Sequence, residues 1–248
     1  IKVIFHLAAQ AGIRYSFVDP SAYIESNING FFSILELAKK LKIKKFIYAS
    51  SSSVYGKNLK APYSEKNLTN EPLQLYAATK ISNEAMAYAY SHLYKFNSIA
   101  LRFFTVYGPY GRPDMAIYTF VDKIYKNKNI NLYGKGKMLR DFTYIDDVTE
   151  GIIKVYKSNI NDKKNFHSIY NLGRGKPIEV IDLVKKIEHI IGKKAKISLF
   201  KSNISEMFKT HCSINKFKRD YKYYPKTSLD QGLKNFIEWY KDYYNCKS

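Results

Sequence analysis

The chain has 248 residues, enough for a large core, and its 46% hydrophobic and 25% charged content excludes a disordered chain. No apolar run approaches the roughly 18 residues of a membrane helix, so no membrane partner is expected. A formal charge of +20 invites a polyanion, but the lysines are scattered in pairs such as Lys39-Lys40, Lys44-Lys45 and Lys193-Lys194. No zinc-finger, basic-zipper or aromatic RNA-binding signature joins them, so no nucleic-acid partner is expected. Cys212 and Cys246 lack metal-ligand spacing, as do the five histidines, so no metal is expected. Reduced thiols in a cytoplasmic protein are the default reading.

In chain order, the first predicted element is a strand at 3–9, VIFHLAA, which opens the chain without an initiator methionine and suggests a fragment of a longer protein. Ile24, Ile28, Phe31, Leu35 and Ala38 then fall on one helix face. A second strand is predicted at 45–50, a polar loop at 56–74, a helix at 75–94 and a third strand at 98–104. Alternation of this kind predicts an α/β fold, a parallel sheet flanked by helices, with ligands at the carboxyl ends of the strands. Those ends carry Ala8-Ala9, the run Ser50 to Ser53, and Thr105.

Beyond Phe104 the pattern loosens into the Gly/Pro-rich loop GPYGRPD at 108–114, a helix at about 115–127 and a short strand at 130–134. RDFTYIDDV at 140–148 leads into a helix with Val148, Ile152 and Val155 inward, and YNLG at 170–173 reads as a strand. Pro177 is placed to start a helix and Gly192 to stop it, and Ser228 to cap a last helix carrying Leu229, Leu233, Phe236 and Ile237. The expectation is two interlocked lobes.

The chemistry gathers at LYAATK, where Tyr76 and Lys80 lie four residues apart on one helix face. An ammonium beside a phenol would lower its pKa from about 10 toward that of a working general base. Ser51, at a neighbouring strand end, would supply a third hydroxyl to a proton relay.

HLAAQAGIRYS, ESNINGFFSILE, ASSSSVYG, LYAATK, LRFFTVYGPYGRPDMA, RDFTYIDDV and YPKTSLDQGLKNFIEWY occur in order over nearly the whole chain. Together they resemble the extended short-chain dehydrogenase/reductases of the NAD-dependent epimerase/dehydratase family, nearest to its UDP-glucuronate 4-epimerases. The resemblance implies a partial Rossmann-like doubly wound parallel sheet with a smaller carboxyl-terminal α/β substrate lobe. Residues 1–104 would be the later part of the NAD-binding domain and 105–248 mainly the sugar-nucleotide lobe, with about 140–173 returning to the first domain. The Gly-rich turn that holds the NAD pyrophosphate in this family has no counterpart here, and VIFHLAA would be the family's fourth strand. Catalytic roles are implied for Ser51, Tyr76 and Lys80, and contact with NAD for Leu7, Ala8, Ala9, Asn27, Tyr76, Lys80, Phe104 and Val106.

The implied reaction is inversion at C4 of a UDP-sugar through a 4-keto intermediate, supplying UDP-galacturonate for polysaccharide. From glucuronate that intermediate is a β-keto acid prone to lose CO₂, so the carboxylate needs restraint. Ser51, Ser52, Ser53 and Thr105 would provide a ring of hydroxyls for this, and Arg112 the nearby cationic contact. The slots where related dehydratases and decarboxylases carry acidic residues hold Ser52 and Ser53 instead. Arg140 resembles the arginine that binds the nucleotide diphosphate, Glu206 falls where relatives grip the uridine ribose, and Arg14 is a weaker substrate candidate. Another UDP-hexose 4-epimerase and a non-catalytic binding remnant stay open as alternatives. The resemblance further implies a homodimer through a four-helix bundle of helices 24–41 and 75–94.

Overall fold

The computed structural model describes residues 1–13, 15–57, 60–158, 166–201 and 207–246. Four strands, β1 (Val3–His6), β2 (Lys45–Ser51), β3 (Asn97–Phe103) and β8 (His167–Leu172), form one parallel sheet in the order β1-β2-β3-β8. Ser51 stands opposite Phe103, and Phe103 opposite Leu172, so three carboxyl ends finish level. Alternate residues of β2 go to opposite faces, as a pleated strand requires. Phe46 and Tyr48 pack with Phe31, Leu35 and Ala87 on one side, and Ile47 packs with Leu101, Val148 and Phe217 on the other.

The first side is covered by α1 (Pro20–Tyr23), a π-helical stretch (Ile24–Asn29), α2 (Gly30–Lys40) and α3 (Leu75–Tyr94). The second is covered by α5 (Ile145–Lys157) and α7 (Asn215–Tyr221). The remaining elements are β4 (Thr105–Tyr107), α4 (Ala116–Tyr125), β5 (Asn129–Leu132), β6 (Leu139–Arg140), β7 (Phe142–Tyr144), β9 (Ile178–Glu179), α6 (Val180–Ile191), β10 (Lys196–Leu199) and α8 (Leu229–Tyr244). Helices α4, α6 and α8 enclose a separate core with Ile130, Phe142 and Tyr144. No described helix is long and apolar enough to cross a membrane.

The structure moves several expected boundaries. The first strand ends at His6, and Leu7 and Ala8 are exposed beyond it. Ile24 is also exposed, because the helical run begins earlier, at Pro20, with Asp19 as its cap. The third strand stops at Phe103, where the backbone changes partners: the Phe104 N–H donates to Leu172 O, whereas Thr105 N–H donates to Asp141 O. Thr105 therefore opens β4, which pairs with β7. Pro177 does not begin the helix, since Ile178 and Glu179 first pair with Arg140 and Leu139. Gly192 does end it, in the left-handed conformation at φ 76°.

Candidate active site

The serine run is divided by the pleat. The buried Ser50 hydroxyl turns toward α3 and donates to Glu84 Oε1 (2.5 Å). Ser51, on the opposite face, accepts from the Ser53 N–H (3.2 Å) and so caps a 3₁₀ turn, Ser52–Tyr55. The Ser51 hydroxyl also lies near enough to the Tyr76 phenol to lower its pKa. Ser52 and Ser53 are half-buried in the turn.

Tyr76 is the second residue of α3, which brings its ring to the strand ends, edge-on to Tyr23 of α1 at 6.2 Å. Lys80, one turn on, is 3% exposed and donates from Nζ to Ala49 O (2.9 Å). Burial lowers the Lys80 pKa to about 8, with Glu84 pulling the other way. The expected lowering of the Tyr76 pKa is not what the structure gives. Burial raises it, and the opposing influences are the Ser51 hydroxyl and the charge of Arg112. One Lys80 donor goes to a strand carbonyl, and the cation acting on the phenol is Arg112.

Arg112 lies in the loop after β4 and holds Asp114 side-on, Nε to Oδ1 (2.9 Å) and Nη2 to Oδ2 (2.5 Å). Thr105 is half-buried at the start of β4. Arg140, on β6, donates from Nη1 to Leu139 O (2.9 Å) and Phe208 O (3.2 Å), at the edge of the 207–209 segment. Arg14 and Glu206 lie outside the described residues.

Of the expected cofactor contacts, Leu7, Ala8 and Ala9 form the open lip beyond β1. Asn27 is buried and braces that lip: its Oδ1 accepts from the Gln10 N–H (2.8 Å), and its Nδ2 donates to Gln10 O (3.0 Å) and Thr79 Oγ1 (3.1 Å). The Phe104 side chain is buried in a cluster with Tyr55, Tyr63 and Cys212, and Val106 packs against the sheet core. The residues fit a dinucleotide at one telling point. The buried Lys80 amine has three donors and, among the described residues, one acceptor, Ala49 O.

Sequence reading missed the polar scaffold behind these groups. Glu84, four residues after Lys80, takes a bidentate pair from Arg102 of β3 (2.8 and 2.7 Å) in addition to Ser50. Asp141, fully buried, collects the N–H groups of Arg174, Gly175 and Cys212. Glu84 sat in plain view on the Tyr76–Lys80 helix face, and Asp114 two residues after Arg112. Partners from distant strands gave no local signal.

The profile of the NAD dependent epimerase/dehydratase family matches residues 1–173. The chain is 41% identical to a probable UDP-glucuronate 4-epimerase of Rhizobium meliloti, covering 98% of this chain and 75% of that relative. The crystal structure of the Bacillus cereus UDP-glucuronic acid 4-epimerase with UDP-glucuronic acid and NAD superposes with a TM-score of 0.91 at 35% identity, covering 98% of this chain and 76% of that one. The UDP-glucose 4-epimerase of Thermotoga maritima superposes equally well, TM-score 0.91, at 27% identity, covering 98% of this chain and 78% of that one. The geometry and the matches agree, and the chain belongs to the NAD dependent epimerase/dehydratase family.

Proposed function

We propose that the chain carries the base and sugar-nucleotide site of an NAD-dependent UDP-sugar 4-epimerase whose substrate is UDP-glucuronate and whose product is UDP-galacturonate. The observation that carries the reading is the Tyr76 phenol beside the Ser51 hydroxyl, with the Lys80 amine one helical turn away. Bound NAD would supply the hydride acceptor and then the hydride donor at C4. Lys80, with donors to spare, would hold its ribose hydroxyls, beside the lip formed by Leu7, Ala8 and Ala9. Tyr76 takes the proton of the 4-hydroxyl as C4 becomes a ketone, and returns it after the sugar has turned over. Ser51 keeps the phenol aimed and shares the proton.

The same crevice suits a sugar acid. Ser52 and Ser53, in the turn after β2, and Thr105, which opens β4 just past the end of β3, offer neutral hydroxyls, and Arg112 brings a cation close enough to act on Tyr76. Such contacts would hold the carboxylate of the 4-keto sugar out of the alignment that loses CO₂. No carboxylate stands at positions 51–53 to drive elimination. Arg140 is suited to the diphosphate, as a guanidinium matches phosphate geometry. A homodimer is part of the proposal, because α2 and α3 pack together and leave Phe32, Leu37, Tyr88 and Leu93 exposed.

Tyr76→Phe removes the base and keeps the ring. Turnover of UDP-glucuronate by the NAD-loaded protein is expected to fall by about 10²-fold or more, as for other general bases. Affinity for the UDP-sugar should stay within a few-fold. Parent activity in that variant would overturn the assignment, and equal turnover of UDP-glucose by the parent would overturn the choice of substrate.

A further inference from the structure

The sequence Arg112-Pro113-Asp114-Met115 forms a tight turn, closed by the Met115 N–H donating to Arg112 O (3.1 Å). Proline at the second position favours that turn by fixing its own φ. Thr119 of α4 anchors it twice, its hydroxyl donating to Pro113 O (3.0 Å) and its N–H to Met115 O (2.9 Å). Arg112 and Asp114 are thus held as near neighbours by backbone, and their side chains meet in a two-bond, side-on pair. The side-on contact uses Nε and one N–H of Nη2. The opposite edge, Nη1 and the second N–H of Nη2, has no acceptor among the described residues. That guanidinium sits over the crevice: its charge acts on both Tyr76 and Tyr23, and Nη2 comes within 3.0 Å of where a Cβ on Gly12 would stand.

We propose that Asp114 is a positioning residue that clamps one edge of the Arg112 guanidinium and thereby aims the other edge at the carboxylate of the sugar. The proposal rests on the reading of Arg112 as the sugar-carboxylate contact. A free arginine loses several torsions when it binds an anion. A clamp removes most of that freedom beforehand, which is how preorganisation raises affinity. The pair is 43% and 64% exposed, so it adds little to folding stability. Its consequence lies in binding, and only for a sugar that carries an anion at that place. A neutral hydroxymethyl group has nothing to offer a bidentate fork. Asp114 thus acts on the choice between sugar acid and neutral sugar. The alternative has the opposite sign: were Asp114 a competitor that the substrate must displace, its removal would tighten binding of the acid.

The test is calorimetric titration of the NAD-loaded protein with UDP-glucuronate and with UDP-glucose. In Asp114→Asn, affinity for UDP-glucuronate is expected to drop by about twofold to fivefold, the upper part of the range of an exposed charged pair, while that for UDP-glucose stays unchanged. Asp114→Glu should recover part of the preference for the acid. Arg112→Gln should abolish that preference, and adding Asp114→Asn to it should change nothing more. Parent or tighter binding of UDP-glucuronate in Asp114→Asn, beside weakened binding in Arg112→Gln, would overturn the clamp alone. Parent discrimination in Arg112→Gln would overturn the carboxylate reading of Arg112, and the clamp with it.

Discussion

Lys80 holds a charge where burial is bad for folding, at the place proposed to meet NAD. An ammonium at 3% exposure is poorly solvated, and burial brings its pKa down to about 8 from 10.5. Because the folded-state value lies below the unfolded one, the folded protein releases this proton first as pH rises. The penalty of the buried charge is therefore fully present below pH 8 and is relieved between about 8 and 10.5. Lys80→Met removes the group, so the variant is expected to be more stable than its parent at pH 7. That advantage should shrink by on the order of 3 kcal/mol as pH rises through the window. Urea titrations of both proteins at pH 7 and pH 10.5 measure it, and a difference independent of pH would refute it. Glu84 softens the penalty without being lost to it, since Arg102 holds its carboxylate by two bonds. The Tyr76–Lys80 spacing was legible because four residues is a helical period. The Glu84–Arg102 pair was not, because Arg102 comes from a strand whose register against β2 no local pattern specifies.

At the scale of elements, local signals decided which boundaries could be read. Helix α3 spans the predicted 75–94, and Ser228 caps α8 by accepting from the Gln231 N–H (3.1 Å). Strands β9 and β10 went unread, being 2 and 4 residues long and defined by pairing with β6 and β5 rather than by a period of their own. Close approaches between elements are equally invisible in sequence, and Gly232 marks one. A Cβ there would stand 2.1 Å from Tyr107 Oη and 2.9 Å from Tyr144 Cδ2, where α8 crosses β4 and β7. Tyr107 is buried and cannot swing aside. Gly232→Ala is expected to cost about 0–2 kcal/mol, an overpacking penalty of about 1–3 kcal/mol less a helix-propensity gain of about 1. Gly30, at the start of α2, is the control: a Cβ there meets nothing nearer than Glu25 O at 3.5 Å. Gly30→Ala should be neutral or stabilising by up to about 1 kcal/mol. Unfolding midpoints of the two variants decide it, and equal effects would mean that α8 is free to shift.

At the scale of the whole molecule, charge and association act against each other. With 41 basic and 21 acidic residues, 41 − 21 leaves 20 positive charges without a counterpart in the chain. Two copies brought together repel over a range set by the Debye length, about 30 Å at 0.01 M salt and about 8 Å at 0.15 M. The proposed dimer face is itself apolar. Phe32 and Leu37 on α2 are 46% and 43% exposed, and Tyr88 and Leu93 on α3 are 53% and 67% exposed. Glu36 pairs with Lys39 at the side of that face and also accepts from Tyr90, which neutralises part of the charge on α2. Burying such a face is driven by the hydrophobic effect, which salt does not screen, whereas the opposing repulsion is screened. Self-association through α2 and α3 should therefore strengthen with ionic strength, the reverse of a contact held by surface ion pairs. Light scattering at micromolar concentration is expected to give a dimer at 0.3 M NaCl and a larger monomer fraction at 0.01 M. Leu93→Asp, which places a carboxylate on the face, should yield monomer at both. A parent protein that stays monomeric at 0.3 M would rule out the four-helix interface, and one that dissociates as salt is raised would place its contacts elsewhere, among the charged residues.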